Sequence, residues 1–189
     1  VFDNDGNNVF LEDSKLSTEA SAAIAGILAH ASELSLINNP LVNSYKRLKP
    51  GFDAPVYVSW SSNSNRSALI RIPTERDNQI RLEFRSPDSA ANPYLCIAML
   101  IYSILDGIEN KIECDDAINQ NMYADKVDNI KKLPDTLSEA IDEFEKSDFV
   151  REKLGKHIFD EYLSAKKVEW NEFNNAVTDW EIKKYLERY

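Results

Sequence analysis

The chain has 189 residues, 43% of them hydrophobic, and a formal net charge of −10, a composition typical of a globular protein in water. The acidic total excludes a surface that coats nucleic acid or an anionic membrane, because attraction to phosphate requires basic groups. Its two cysteines form no Cys-x-x-Cys pattern, which predicts a reducing, cytoplasmic environment and no disulfide framework.

The charge is unevenly distributed along the chain. Residues 43–85 hold eight basic and four acidic side chains, a balance of +4, whereas the remainder carries −14. Six of the eight arginines lie in this window, and the planar arginine fork suits carboxylate and phosphate oxygens. The window is therefore a candidate binding region for an anionic ligand.

The first predicted elements are a short hairpin and a helix. Two Val-Phe pairs flank an Asp/Asn/Gly-rich turn within residues 1–10, and a chain that opens on a strand suggests that preceding sequence is missing. Ser17 is a plausible N-cap for a helix that reaches about Leu34. His30 lies on that helix and is expected to be a satisfied core or interface residue.

The segment from residue 43 to residue 55 is polar and basic around a Pro50-Gly51 turn. Asp53 follows this turn, in a position where a mobile lid could be built. From the spacing alone, an ordinary surface turn is the favoured interpretation.

Three short strands, each with one buried face, are predicted by the alternation of residues over 56–60, 68–72 and 80–84. On the strand 79–85, Arg81, Glu83 and Arg85 share the polar face, and Arg71 of the preceding strand could point to the same side. Arginines around one carboxylate suit an anionic ligand with a divalent cation. A solvated sheet face with cross-strand ion pairs explains the pattern equally well.

After Asp88 the pattern is helical. Asn92-Pro93 begins a helix that is expected to end near Gly107, and its apolar run over residues 94–105 is too short to span a bilayer and predicts a buried helix. Two capping boxes are predicted, at Thr136 with Glu139 and at Thr178 with Glu181. Residues 149–176 predict one or two further helices. Strands followed by helices predict an α+β fold with an antiparallel sheet and a helical C-terminal third.

Three long motifs resemble type I glutamine synthetase: NPLVNSYKRLKPGFDAPVYVSWS (Asn39 to Ser61), NRSALIRIP (Asn65 to Pro73) and RLEFRSPDSAANPYL (Arg81 to Leu95). LDGIENKI and LGKHIFDEYLSAKKVEW are similar as well, and the C-terminal helices look most like the branch found in Gram-positive bacteria and archaea. The resemblance covers nearly the whole chain. It implies the glutamine synthetase/guanido kinase-like catalytic fold and ATP-dependent ligation of ammonia to glutamate through γ-glutamyl phosphate, with Mg²⁺ or Mn²⁺ at the site.

The resemblance also implies roles for individual residues. By this resemblance, glutamate is bound by Arg47, Asp53, Arg66 and Arg85. ATP is bound by Arg66, Arg71 and Arg81, and the metal ion is bound by Glu83. Arg66 is further implied to stabilise the transferring phosphoryl group. Asp53 is implied to be catalytic, because the flap carboxylate closes over the intermediate and helps to deprotonate ammonium.

Two departures from the family pattern are present. Asp53 stands where the family usually has a glutamate, whose side chain is one methylene longer. The N-terminal domain and the first half of the catalytic domain, which carry the other metal ligands and much of the nucleotide site, are absent. Residues 1–189 are therefore interpreted as the C-terminal portion of the catalytic domain, and the isolated chain is expected to be inactive.

Two other functions stay open. A γ-glutamyl ligase that uses another amine would share the ATP motifs. A non-catalytic assembly or regulatory module would suit the aromatic-rich C-terminus, which contains Trp170, Phe173, Trp180, Tyr185 and Tyr189. The family assembles as a dodecamer of two hexameric rings, so the resemblance implies a homo-oligomeric parent with glutamate, ammonia and ATP as substrates and neither nucleic acid nor membrane as a partner.

Overall fold

The computed structural model describes residues 1–13, 15–50, 54–73, 80–123, 129–186 and 188. Within these ranges the strands are β1 (Leu11–Glu12), β2 (Lys15–Leu16), β3 (Tyr57–Ser61), β4 (Ala68–Arg71) and β5 (Glu83–Phe84). The helices are α1 (Thr18–His30), α2 (Ser35–Asn38), α3 (Val42–Arg47), α4 (Pro93–Glu109), α5 (Leu137–Lys146), α6 (Asp148–Leu154), α7 (Lys156–Asn175) and α8 (Asp179–Tyr185). This order confirms the α+β class and the helical C-terminal third.

The central sheet has the strand order β3-β4-β5. Strand β4 runs parallel to β3 and antiparallel to β5, so the sheet is mixed, whereas the sequence predicted an antiparallel one. The loop between β3 and β4 is folded by two asparagine side chains. Asn63 accepts a hydrogen bond from the backbone N–H of Asn65 (2.9 Å), and Asn65 accepts one from that of Ser67 (3.0 Å).

Strand β4 is covered on both faces. Leu69 and Ile70 are both fully buried although neighbouring residues of a strand point to opposite sides. The prediction of one buried face is therefore wrong for β4, because this strand lies in the middle of the sheet between two apolar clusters. Strand β5 pairs only over Glu83–Phe84, which is shorter than the predicted 79–85, and Gln79 lies outside the described residues.

Helices α1 and α4 cross at two glycines. A Cβ atom on Gly107 would lie 2.1 Å from the carbonyl oxygen of Ala22, and one on Gly26 would lie 2.1 Å from that of Ser103. Gly107 was expected to end α4, but the helix continues to Glu109. The glycine instead permits the backbones to approach more closely than any side chain would allow.

The start of each of these helices agrees with the sequence. The Ser17 hydroxyl caps α1 by accepting a hydrogen bond from the N–H of Ala20 (3.0 Å), and Asn92 caps α4 with Pro93 in its first turn. The end of α1 differs, because the helix stops at His30 and a separate turn, α2, follows from Ser35.

Helix α4 is buried on one face only. Met99, Ser103 and Gly107 are buried, whereas Tyr94 and Ile97 are 84% and 57% exposed, so the prediction of a buried helix is wrong for half of its surface. In the described part of the chain, no helix combines the length and apolar character that crossing a membrane requires.

His30 is satisfied by residues from two other parts of the fold. Its Nε2 atom lies 2.9 Å from Oδ2 of Asp106, its Nδ1 atom contacts the Glu33 carboxylate, and its ring stacks on Phe149 at 3.6 Å between centroids. Burial lowers the pKa of His30, but the hydrogen bonds to Glu33 and Asp106 outweigh it and raise the pKa overall. The prediction of a structural histidine is confirmed.

The C-terminal helices pack around stacked aromatic rings. Phe144 of α5 and Phe159 of α7 are fully buried, with ring centroids 4.8 Å apart. The predicted helical stretch is divided into α6 and α7 at Gly155, which has a φ of 73°. The capping box at Thr178 is complete, whereas at Thr136 the Glu139 carboxylate accepts from the N–H of Asp135 instead.

Candidate anion-binding site beside the central sheet

A two-pronged ion pair joins β4 to β5. Arg71 and Glu83 are directly opposite in the antiparallel register, and the guanidinium donates from Nε to Oε1 (2.7 Å) and from Nη2 to Oε2 (2.9 Å). Parallel hydrogen bonds of this kind fix both side chains in direction as well as in distance. The cross-strand ion pair considered from the sequence is therefore present, and it forms one edge of the candidate site.

Glu83 is surrounded by positive charge. Arg85 Nε lies 3.6 Å from Oε1 of Glu83, and the charge of the exposed Arg81 also acts on Glu83. The hydrogen bond from Arg71 lowers the pKa of Glu83 most, and the charges of Arg71, Arg85 and Arg81 lower it further, against the opposing effect of burial. Glu83 is consequently ionised at neutral pH while its surroundings keep a net positive charge.

Arg47 is attached to the residue that follows Arg85. It ends helix α3, and its Nη2 atom donates to Oδ1 of Asn39 (2.8 Å) and to the carbonyl oxygen of Ser86 (2.9 Å). The fold thus ties Arg47 to the backbone next to Arg85, the other predicted glutamate-binding arginine, although the two are far apart in sequence.

Within the part of the chain that the structure describes, three buried N–H groups on Arg47, Arg85 and Asn38 have no hydrogen-bond partner. They are Nε of Arg47, Nη1 of Arg85 and Nδ2 of Asn38. The backbone carbonyl oxygen of Asn38 accepts a hydrogen bond from the backbone N–H of Asp88. A buried donor without an acceptor costs on the order of 1–3 kcal/mol, and more when it is charged. Arg47 and Asn38 are both bonded to the segment that follows Arg85, and donors of this kind suit an anionic oxygen.

Arg66 lies apart from this cluster on the loop between β3 and β4. Its side chain is exposed and lines a polar groove of about 630 Å³, together with Asn63, Asn121 and Tyr123. The Tyr123 hydroxyl donates to the carbonyl oxygen of Arg66 (2.8 Å). Arg71 Nη1 lies 3.4 Å from the carbonyl oxygen of Ser64, so this loop borders the Arg71–Glu83 pair.

Not every predicted site residue can be assigned a position. Asp53 lies outside the described residues. A cavity of about 860 Å³ lies between the start of α1, Trp60 and residues 111–117, and none of the predicted site residues lines it. Because the arginine cluster has both the charge and the unpartnered donors, we regard it as the candidate site.

Sequence reasoning missed two residues that support the arginines. Asn39 and Ser86 are both fully buried and hold Arg47, yet neither was given a role. Asn39 begins the motif NPLVNSYKRL and Ser86 is the second residue of RSPD, so the available signal was their place in a motif that contains a site arginine.

Comparison with known proteins identifies the family. A family model described as the catalytic domain of glutamine synthetase matches residues 1–185. The chain belongs to the glutamine synthetase catalytic-domain family. It is 48% identical to the glutamine synthetase of Methanosarcina mazei over 96% of this chain and 42% of that protein, and 45% identical to that of Thermotoga maritima over 98% and 44%. A relative from Staphylococcus epidermidis is 40% identical over 94% and 41%, so the resemblance to archaeal and Gram-positive enzymes is confirmed.

Solved structures agree with this assignment to the glutamine synthetase family. A GmaS complex with ADP superposes with a TM-score of 0.86 at 30% identity, covering 97% of this chain and 44% of that one. GmaS without ligand gives a TM-score of 0.83 at 31% identity, covering 97% and 42%. The chain thus spans about four-tenths of the length of the proteins that it matches.

Proposed function

We propose that this chain is the C-terminal portion of the catalytic domain of an ATP-dependent glutamate–ammonia ligase, which forms glutamine by way of γ-glutamyl phosphate. Membership of the glutamine synthetase family supports the reaction class. The assignment of the site rests on buried guanidinium N–H groups of Arg47 and Arg85 that find no partner among the residues that the structure describes. Two fixed positive groups with free donors suit the carboxylate of an amino-acid substrate.

The other arginines would act on phosphate. Arg66 is exposed on its loop and is free to reach a transferring phosphoryl group, and Arg71 and Arg81 lie beside Glu83, where the nucleotide phosphates would be held. Phosphoryl transfer depends mainly on positioning and on neutralising charge, and a bidentate pair such as Arg71–Glu83 provides a fixed arrangement before the ligand binds. Asp53 would close over the intermediate and accept a proton from ammonium.

A divalent cation would be held only in part by these residues. Among the residues that the structure describes, no three His, Cys, Asp or Glu side chains are grouped in a way that could hold a metal ion. Glu83 is an ionised carboxylate, and Mg²⁺ often takes only one or two protein carboxylates together with phosphate oxygens. Glu83 therefore fits one ligand of Mg²⁺ or Mn²⁺, and a bound ion would neutralise phosphate charge there.

The proposal is tested with the chain alone and with a chimera in which it replaces the matching segment of the Methanosarcina mazei enzyme. We expect no phosphate release that depends on glutamate and ammonia from the chain alone, because one metal ligand does not make a complete site. The chimera should be active, and Arg66→Ala should lower its turnover roughly 10²–10³-fold, as the loss of one preorganised charge donor does.

Arg151→Ala is the matched control, since Arg151 is an exposed arginine on α6 whose contacts are with Glu145, Phe159 and Asp160 of the C-terminal helices. It should leave turnover per folded protein unchanged. Activity of the chain alone would overturn the proposal that it is an incomplete catalytic unit. An unaffected Arg66→Ala chimera would overturn the role of Arg66.

Ammonia and other amines are compared in the same chimera. The GFDAP and NSYKRL motifs support ammonia as the amine substrate. Faster turnover with methylamine or a polyamine than with ammonia would favour a γ-glutamyl ligase of another specificity.

Exposed apolar residues near the C-terminus support a second proposal, that the parent protein self-associates. Trp180 is 62% exposed, Val177 is 74% exposed, and no residue of α8 is buried. Large apolar side chains that find no cover within their own chain are typical of protein interfaces. Light scattering of the chimera should give an oligomer, and a dodecamer is the size that the resemblance predicts, whereas a monomer would exclude this proposal.

A further inference from the structure

We propose that Asn39 and Ser86 form a buried clamp that holds Arg47 in its ligand-binding orientation, so that Asn39 is a positioning residue for the site. The inference deepens the proposed function and rests on it for the identity of the ligand. The clamp itself is defined by contacts within this chain alone.

The clamp closes through three hydrogen bonds. Asn39 Oδ1 accepts from Nη2 of Arg47 (2.8 Å), and Asn39 Nδ2 donates to the hydroxyl of Ser86 (3.1 Å). The carbonyl oxygen of Ser86 accepts from the same Nη2 atom (2.9 Å). Nη2 of Arg47 is therefore held by two residues, Asn39 and Ser86, whose side chains are also hydrogen-bonded to each other.

Burial makes this arrangement rigid. Asn39 and Ser86 are both 0% exposed, so water cannot replace either hydrogen bond. The Asn39 amide uses its oxygen and its nitrogen in opposite directions, which also fixes the orientation of the amide group. The part of Arg47 that the clamp does not contact includes the buried Nε–H, which has no partner among the described residues.

The clamp also ties Arg47 to the backbone next to Arg85. Ser86 follows Arg85 directly, and the backbone N–H of Arg85 donates to the carbonyl oxygen of Leu69 on β4 (2.9 Å). Arg47 is thus tied to a backbone that the sheet itself holds. Because a guanidinium that is already oriented loses less entropy on binding, a preformed pair binds a carboxylate more tightly than two mobile side chains.

A second set of contacts holds the same two segments together without touching Arg47. The Ser44 hydroxyl donates to the Asp88 carboxylate, and the N–H of Asp88 donates to the carbonyl oxygen of Asn38 (2.9 Å). Loss of the Asn39 side chain should therefore loosen Arg47 without separating α3 from residues 85–88. This separation of roles makes the clamp testable.

The experiment follows the Nε–Hε signal of Arg47 by NMR in the 189-residue chain, with and without L-glutamate. Asn39→Ala should lower the order parameter of that group and weaken any glutamate-induced shift roughly ten- to a hundredfold in apparent Kd, the range for a hydrogen bond to a charged group. Ser86→Ala should act in the same direction more weakly, since the backbone carbonyl remains. In the double variant the Ser86 effect should disappear, because Ser86 acts through Asn39.

Two further variants complete the test. Asn43→Ala is the matched control, since Asn43 is an exposed asparagine on α3, the helix that carries Arg47. It should change neither the order parameter of Arg47 nor the glutamate-induced shift. Asn39→Asp keeps an acceptor for Arg47 and should retain its order, which provides a readout if Asn39→Ala does not fold.

The outcomes separate the two proposals. Unchanged order of Arg47 in Asn39→Ala, or loss of order in Asn39→Asp equal to that in Asn39→Ala, would overturn the clamp. Loss of order in Asn39→Ala without any glutamate-induced shift in the parent chain would support the clamp and argue against Arg47 as a glutamate ligand in this chain.

Discussion

The crossing of α1 and α4 gives the sharpest stability prediction, through the substitution Gly107→Ala. In an exposed helix this change would stabilise the protein by about 0.5–1 kcal/mol, because alanine is the better helix former. Here the added Cβ atom would lie 2.1 Å from the carbonyl oxygen of Ala22 and 2.9 Å from the Cα atom of Gly26. Both obstacles are backbone atoms, so no side-chain rotation relieves the contact.

The expected cost follows from the distance. A carbon–oxygen contact relaxes at about 3.3 Å, so the helices must separate by roughly 1 Å. A gap of that size removes about a quarter to a half of the dispersion energy of each contact between α1 and α4. We therefore expect a net loss of about 3 kcal/mol, the upper end for overpacked cores, and a fall in Tm of roughly 6–12 °C for a domain of this size.

Urea unfolding followed by far-UV circular dichroism measures this loss. The control is Leu105→Ala. Leu105 is 43% exposed on the same helix, so losing its larger apolar group should cost less than Gly107→Ala. The double variant Gly26→Ala/Gly107→Ala should lose less than the sum of the single variants, because the first methyl group already separates the helices. A Gly107→Ala variant as stable as the parent would refute the close crossing.

Three other predictions follow from local contacts. Ser17→Ala should lower the free energy of unfolding by about 1–2 kcal/mol, because the buried hydroxyl caps α1 and donates to the carbonyl oxygen of Val9. Thr178→Ala on the exposed α8 should cost less in the same urea titration, and equal losses in the two variants would contradict this reasoning. The raised pKa of His30 means that its ion pairs stabilise the fold fully below pH 6.5 and lose that effect as pH rises through the folded pKa, so His30→Asn should flatten the stability curve across neutral pH. The lowered pKa of Glu83 means that its ionised form stabilises the fold above pH 4.5, and this stabilisation is lost as the pH falls through the folded pKa. In thermal melts between those limits, the stability of Glu83→Gln should therefore depend less on pH than that of the parent. An identical acid response would show that the Arg71–Glu83 pair is not its cause.

The fold was predictable from the sequence wherever the cause is local. Ser17, Asn92 and Thr178 cap helices through groups two or three residues away, and the sequence contains both partners of each such contact. Ile80, Leu82 and Phe84 lie on the partly buried side of their segment, as their alternation predicted. The motif arginines were found for the same reason, since Arg81, Glu83 and Arg85 lie on one short segment.

The sequence could not predict contacts between distant segments. The parallel pairing of β3 with β4 depends on how residues 62–67 fold back, and the burial of both Leu69 and Ile70 depends on what packs on each side of the sheet. His30 was expected to be satisfied, but its partner Asp106 lies 76 residues away. Gly107 has the sequence signal of a helix end, and only the neighbouring α1 makes it a packing residue.

The helix starts, the polar face of 81–85 and the family resemblance could be read from the sequence, because each depends on side chains that are neighbours along the chain. The residues that hold Arg47 could be recognised only in the tertiary structure. Arg47 and Ser86 are 39 residues apart and Asn39 and Ser86 are 47 apart, so their hydrogen bonds exist only after α3 has packed beside the end of β5. The +4 window of residues 43–85 indicated that an anion could bind, and the fold turned that charge into a pair of oriented guanidinium groups.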